Sequence, residues 1–346
     1  MKRSFMFICA AALLLTGCGA SADEASAQLF AMDTVMQLDA YGHQVKQAVS
    51  DAEETIQALE ARLSRTRDDS LVSVLNQNGA AQDLSAAEQA LLSEALTFRD
   101  ATGGAFDITI APVMDAWGFT GDSYRVPAQD ELDALLENVN SDEIRLSGSS
   151  VTLGAGQAID LGGIAKGYTS DCVEAVFREN KIESGKISLG GNVFVLGGKP
   201  DGADWRVGIR DPQDENALAA VLTLRDAYAI TSGGYERYFT ENGNTYHHII
   251  DPSTGYPADS GLLSVTVVAE ANGPDFSGPG NGTMCDAFST ALFVMGEERA
   301  LEFWRTGGYD FDLVLVTADG RVIITDGLSD RFEVVKDSGY TYETVS

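Results

Sequence analysis

The sequence predicts an α+β fold, built as two lobes of a single unit with mixed sheets and flanking helices. Three observations point there. Amphipathic helical stripes crowd the first third of the chain and strand-like runs fill the rest, with none of the steady βαβ alternation of a parallel α/β sheet. No internal repeat or clean linker divides the 346 residues. An apolar content of 44% is enough for a full core.

The elements follow in order. Leu29 to Ala40 alternates as a strand. From His43 to Arg65, apolar residues at Val45, Val49, Ala52, Ile56, Leu59 and Leu63 form a helical stripe. A short helix is expected from Asp69 to Asn76, ending at Asn78-Gly79. Ser85-Ala86-Ala87-Glu88 is a capping-box pattern that opens a helix stopping at Gly103-Gly104. Phe106 to Gly118 reads as a turn plus a short helix, and Pro127 to Asn138 as a helix. Ile144 to Ile159 gives two short strands, and Lys166 to Asn180 a helix. Strands are expected near Lys186–Leu189, Val193–Leu196, Trp205–Arg210, Val221–Ile230, Tyr246–Ile250 and Leu262–Ala269. Ala271 to Met284, rich in Gly, Pro and Asn, reads as a long loop before helices at Asp286–Met295 and Glu297–Thr306. Phe311–Thr317 and Arg321–Thr325 form a hairpin around Asp319-Gly320.

The start reads as a targeting segment. Lys2 and Arg3 precede an apolar run from Phe5 to Leu15 that is too short to span a bilayer. Leu15-Thr16-Gly17-Cys18 then looks like a bacterial lipoprotein signal, against the alternative of an ordinary secretory signal. The expected organisation is a signal over 1–17, a tether over 18–28 with lipidated Cys18, and one domain over 29–346. This places the mature protein on the extracytoplasmic side of a cell membrane, periplasmic or outer-facing. Only Cys172 and Cys285 remain for the domain, and free thiols are expected. A net charge of −29 argues against nucleic-acid binding, which needs basic surface. An anionic ligand must therefore be met by local positive groups or a bound cation.

Four segments carry chemistry. Asp160-Leu161-Gly162-Gly163-Ile164-Ala165-Lys166-Gly167-Tyr168 joins a strand-like to a helix-like stretch. Glycines there admit close backbone approach, and the helix N-terminus offers N–H groups to an anion. The run is neither a dinucleotide fingerprint nor a P-loop, and a structural joint is the other reading. In His247-His248-Ile249-Ile250-Asp251-Pro252, strand alternation sends the two histidines to opposite faces, one toward a cleft as a general base; the bland reading is a structural histidine. Thr231-Ser232-Gly233-Gly234-Tyr235-Glu236-Arg237-Tyr238 reads as a small-residue turn after a buried strand, either an anion contact or a tight connection. Asp286 and Thr290, four apart, share a helical face and suit a hard cation such as Mg²⁺, although Asp is also a common N-cap. Gly104-Ala105-Phe106-Asp107 and Trp117-Gly118-Phe119 add an aromatic wall.

Taken in order, these motifs, with Met32-Asp33-Thr34 and Leu63-Ser64, resemble the ApbE-type FAD:protein FMN transferases from about Met32 to the end. The resemblance implies a ligand cleft between lobes and an enzyme that binds FAD with Mg²⁺. It breaks the pyrophosphate, passes FMN to a threonine hydroxyl of an acceptor protein, and releases AMP. Acceptors are flavoprotein subunits of membrane redox complexes. Carried over residue by residue, Met32, Ala105, Phe106, Asp107, Asp160, Lys166 and Ile250 hold FAD. The Gly163 carbonyl, Asp286 and Thr290 hold the metal. His248 is the base, and His247 has no role.

The chain departs from the family pattern at Asp33, where many relatives have glycine, and at Thr66, where some have tyrosine. It also departs at Gly163, often Ala or Ser, and at Ser289, where some carry a second aspartate. Two alternatives keep much of the same site: an FAD pyrophosphatase giving FMN and AMP, and a non-enzymatic flavin-binding lipoprotein.

Overall fold

The computed structural model describes residues 23–121, 123–274 and 276–346. The expected signal over 1–17 and Cys18 lie outside the described residues.

The chain opens with a hairpin, β1 (Asp23–Ala31) and β2 (Thr34–Gly42), followed by α1 (Val45–Leu63), α2 (Leu71–Asn78) and the two-residue β3 (Ala80–Ala81). Next come α3 (Ala86–Ala101), α4 (Ala111–Trp117), α5 (Gln129–Leu136), β4 (Arg145–Ser147), β5 (Ser150–Thr152) and α6 (Ala165–Glu179). Strands then dominate: β6 (Ser184–Leu189), β7 (Asn192–Leu196), β8 (Trp205–Asp211), β9 (Asp214–Leu224), β10 (Ala227–Gly233), β11 (Tyr238–Glu241), β12 (Asn244–His247) and β13 (Leu262–Glu270). The chain closes with α7 (Asn281–Met295), α8 (Glu297–Thr306), β14 (Asp312–Thr317), β15 (Arg321–Thr325), β16 (Phe332–Val334) and β17 (Thr341–Val345).

Nine strands form one sheet in the order β1-β2-β6-β7-β10-β13-β14-β15-β17, antiparallel except for the parallel β15–β17 pair. Its two faces explain the near-continuous apolar runs of β13 and β14. Val265, Val267, Leu313 and Leu315 point into the main core with α1, α6 and α7, while Val268, Val314 and Val316 point the other way. That second face is covered by the small β16-β9-β8 sheet. Both sets of alternating side chains are therefore buried, and no polar-out pattern survives to read. A third cluster gathers Val113, Trp117, Phe119, Leu132 and Ile250.

Several elements form as the sequence predicts, and for the stated reasons. The Ser85/Glu88 capping box closes on itself, and Gly79 ends α2 in the left-handed region at φ 67°. Other expectations are corrected. The single strand Leu29–Ala40 is a hairpin turning at Met32-Asp33, both with positive φ (49° and 64°). The primed turn that two such residues make usually announces itself with Asn or Gly, and neither is present. Residues 23–28, expected in the tether, belong to β1, where Ser26 donates to Asp39 Oδ1 across the hairpin at 2.7 Å. Val221–Ile230 is broken at Arg225-Asp226, with Asp226 at φ 46°. Thr231-Ser232-Gly233 finishes β10 rather than forming a turn. Helix α7 begins five residues before Asp286, which is therefore helix interior and no N-cap.

The early start of α7 has a cause on α6. Asp171, fully buried, accepts from the backbone N–H groups of Gly280 (2.9 Å), Gly282 (2.8 Å) and Thr283 (2.9 Å). A carboxylate from one helix thus satisfies the orphan donors of the other. The helices cross where both lack a side chain. A Cβ on Gly167 would lie 2.2 Å from the Gly282 carbonyl oxygen, and one on Gly282 would lie 2.7 Å from the Gly167 oxygen. Gly167→Ala should therefore lower stability by about 1–3 kcal/mol through forced backbone displacement. Gly121→Ala, which meets nothing within 4 Å, should stay within about 0.5 kcal/mol of the parent. Paired thermal or urea unfolding checks this, and equal midpoints for the two variants would refute the tight crossing.

Candidate active site

The α6–α7 crossing sets the distances of the site. Gly167, in the first turn of α6, donates its backbone N–H to Asp286 Oδ2 at 2.8 Å. Asp286 Oδ1 has no donor among the described residues. One turn on, Thr290 Oγ1 lies 3.2 Å from Ser232 Oγ, which also bonds Ser289 Oγ at 2.7 Å. Gly163 closes the cluster, because a Cβ there would stand 3.5 Å from Thr290 Oγ1 and 3.2 Å from the Phe106 ring.

The donors gathered here are a carboxylate and a hydroxyl, both hard oxygens, with the Gly163 backbone beside them. They fit Mg²⁺ or a similar cation that completes its shell with water or phosphate. Among the described residues no group of three or more His, Cys, Asp or Glu side chains could hold a metal alone. The Ser289 hydroxyl is tied to the Asp286 carbonyl at 2.9 Å and to Ser232.

Asp160 is fixed from three directions. Its backbone N–H donates to the Ile108 carbonyl at 2.7 Å, and the neighbouring Ile159 is held at both backbone groups by the Asn76 amide. Asp160 Oδ1 accepts from the Gly162 N–H at 2.7 Å, which shapes the turn, and Oδ2 accepts from Arg65 Nη1 at 2.9 Å. Arg65 also grips Asp115 with Nη2 (2.8 and 3.0 Å) and Thr120 with Nη1 (2.9 Å). Lys166 keeps its ammonium available, with one long 3.5 Å contact to the Gly162 carbonyl.

Phe106 and Ala105 are buried beside this cluster. The Asp107 carboxylate instead serves the loop: Oδ1 accepts from the Thr109 N–H (2.8 Å) and the Ser141 hydroxyl (2.6 Å), while Arg99 faces Oδ2 at 3.5 Å. Met32 reaches α6, where Thr169 Oγ1 approaches its sulfur at 3.6 Å. Ile250 packs in the Trp117 cluster and bridges to Pro257.

The histidines separate by their hydrogen bonds. His247 uses both ring nitrogens: Nε2 faces the Ala258 carbonyl at 3.1 Å, and Nδ1 accepts from the Ile249 N–H at 3.3 Å. His248 uses one. Its Nδ1 faces the Arg237 carbonyl at 3.2 Å, so the neutral ring carries its proton there. Nε2 is left as the acceptor, with no partner among the described residues. Burial, then the Arg237 and Lys166 charges, push His248 down to about 3. The ring is therefore a neutral acceptor throughout the physiological range.

Strand alternation is not what separates the two histidines, because β12 ends at His247 and His248 follows it. Arg65, Ser232 and Arg237 were missed as side chains. Ser232 and Arg237 both lay in the Thr231–Tyr238 segment already marked for chemistry, whereas Arg65 did not. A 350 Å³ cavity lined by Glu174, Arg178, Lys181 and Phe276 lies at the opposite end of α6, away from these groups.

The titration has a definite sign. Below the ordinary histidine pKa near 6.5 the unfolded chain takes up a proton at His248 that the folded chain refuses until about 3. Stability from this group is present above 6.5 and is lost as pH falls through that window. Imidazole NMR should show His248 unprotonated from pH 8 to 5. A midpoint near 6.5 would contradict the burial and charge argument.

A family model described as the ApbE family matches residues 32–312. The FAD:protein FMN transferase of Treponema pallidum is 34% identical over 312 residues, covering 84% of this chain and 83% of that protein. The FAD:protein FMN transferase of Klebsiella pneumoniae is 35% identical over 242 residues, covering 68% of this chain and 70% of its own. The crystal structure of the ApbE protein from Thermotoga maritima superposes with a TM-score of 0.78 at 29% identity, covering 91% of this chain and 97% of that one. The extent of these matches and the shared α+β architecture lead to one assignment: the chain belongs to the ApbE family.

Proposed function

We propose that this protein is an FAD:protein FMN transferase that moves FMN from FAD to a threonine hydroxyl of an acceptor protein and releases AMP. The observation that carries the reading beyond the family's name is His248. It is a neutral imidazole with one nitrogen pinned and the other free, in a site whose α6 N-terminus and Asp286–Thr290 pair suit a metal-bound pyrophosphate.

In this reading FAD lies along the Asp160–Lys166 run between the two lobes, with Phe106, Ala105, Met32 and Ile250 around it. Lys166 meets the phosphates as a point charge, and Asp160 contacts the ligand while Arg65 holds it. Gly163, Asp286 and Thr290 are the residues that would hold Mg²⁺, which would supply charge neutralisation on the pyrophosphate. The acceptor threonine Oγ attacks the phosphorus of the FMN half. Its proton passes to His248 Nε2. The basicity of that ring, held down by burial and then by the Arg237 and Lys166 charges, recovers as the bound phosphates offset Lys166. A new P–O bond forms, and the P–O bond to AMP breaks. The same geometry with water as nucleophile gives FMN and AMP, so the acceptor decides between transfer and hydrolysis. Lipidation at Cys18 would hold the enzyme on the extracytoplasmic face of the membrane, beside flavoprotein subunits of membrane redox complexes. Among the described residues no helix is long and apolar enough to cross a membrane.

The test is incubation with FAD, Mg²⁺ and a threonine-bearing acceptor domain, followed by in-gel flavin fluorescence. Covalent flavin on the acceptor is expected, and free FMN alone would sink the transferase reading in favour of hydrolysis. His248→Ala should retain FAD binding and lose about 10²–10⁴-fold in transfer rate. Asp286→Ala should abolish the response to added Mg²⁺; an unchanged metal titration would remove Asp286 from the ligand set.

A further inference from the structure

Arg237 joins three parts of the molecule that are far apart in sequence. From Nη2 it donates to Asp33 Oδ2 at 2.6 Å, on the tip of the β1–β2 hairpin. From Nη1 it donates to the Phe119 carbonyl at 2.9 Å. Its own carbonyl accepts twice from His248, from the backbone N–H at 3.0 Å and from Nδ1 at 3.2 Å. Phe119 in turn meets the His248 ring edge-on, with centroids 6.5 Å apart. The residue that orients the imidazole is thus itself held by two side-chain bonds to separate loops.

The Asp33 end of this arrangement is not a neutral choice of residue. Asp33 sits at φ 64°, a left-handed position that glycine takes most easily and aspartate tolerates. Next to it, Met32 is at φ 49°, with its backbone N–H on Glu60 Oε1 (3.1 Å) and its sulfur near Thr169 of α6. The hairpin tip therefore touches α6 through one residue and the His248 support through the next.

We propose that Arg237 is a positioning residue for His248 and that Asp33 is its clasp, so that the hairpin tip fixes the tautomer and direction of the imidazole. The competing account is that the β11–β12 ladder, where Tyr238 pairs with His247, holds the Arg237 carbonyl without help from its side chain. The two accounts differ in what happens when only the side-chain bonds are removed. The inference rests on the transferase reading for the use made of the imidazole, but its geometry can be tested without turnover.

The measurement is two-bond ¹H–¹⁵N NMR of the full chain labelled at histidine, which has three such residues to assign. In the parent, His248 should show one tautomer with the proton on Nδ1, and His247 one with the proton on Nε2. Arg237→Gln should turn His248 into a tautomer mixture and leave His247 unchanged. Arg237→Lys, which can keep the Asp33 pair, should restore most of the single form. Asp33→Gly suits the left-handed turn and removes only an exposed ion pair, so it folds and should show a smaller shift toward the mixture. It carries the test should Arg237→Gln unfold. In the transfer assay, kcat should fall about fivefold for Asp33→Gly, the ceiling for one exposed pair, with KM for FAD unchanged. A single Nδ1–H tautomer in Asp33→Gly, or in folded Arg237→Gln, overturns the proposal, as does a rise in KM at constant kcat. A parent that turns over no FAD would defeat the transferase reading alone, because the spectra decide the positioning claim independently.

Discussion

The close crossing of α6 and α7 is the constraint on which the rest of the structure depends. Two glycines, Gly167 and Gly282, allow the backbones to approach, and two aspartates exploit the approach in opposite directions. Asp171 of α6 caps the N-terminus of α7, and Asp286 of α7 accepts the Gly167 N–H in the first turn of α6. Each helix satisfies donors that the other leaves open. The exchange places Asp286, Thr290 and Gly163 together without a dedicated metal-binding loop.

The cost of the arrangement is a buried acidic cluster. Asp171 and Glu174 are both pushed above the usual carboxylate range, chiefly by burial, despite donors from Thr283, Asn272, Tyr228 and Arg178. Asn272 ties the pair together, giving Nδ2 to Asp171 Oδ1 and to Glu174 Oε2 at 2.8 Å each. A network so fully bonded gives a rigid support, whereas the loss of any single member strands a buried polar group. The chain carries a net charge of −29, yet Arg65 and Lys166 both sit at the Asp160–Lys166 run, the arginine on Asp160 and the lysine near the Gly162 carbonyl.

What could be read from the sequence was what neighbouring residues decide. The Ser85 capping box, the Gly79 stop and the stripe from Val45 to Leu63 follow from spacing alone. So did the placing of Asp286 and Thr290 one turn apart on a single helix. Long-range pairing hid the rest. Arg65 meets Asp160 across 95 residues, and Asp171 meets Thr283 across 112. Neither arginine nor aspartate announces a partner at such range. The Met32-Asp33 turn escaped because its residue types do not advertise left-handed geometry. The C-terminal β17 went unread because its five residues are a strand only by virtue of β15 beside them.

The central claim, that the α6–α7 junction is the metal-assisted flavin site, is tested most directly by locating the metal. Crystals grown with FAD and Mn²⁺, as an anomalous scatterer standing in for Mg²⁺, would give its position. The account predicts one peak bonded to Asp286 Oδ1, Thr290 Oγ1 and the Gly163 carbonyl at about 2.0–2.2 Å, touching the FAD pyrophosphate. A peak elsewhere, or a flavin bound away from the Asp160–Lys166 run, would contradict it.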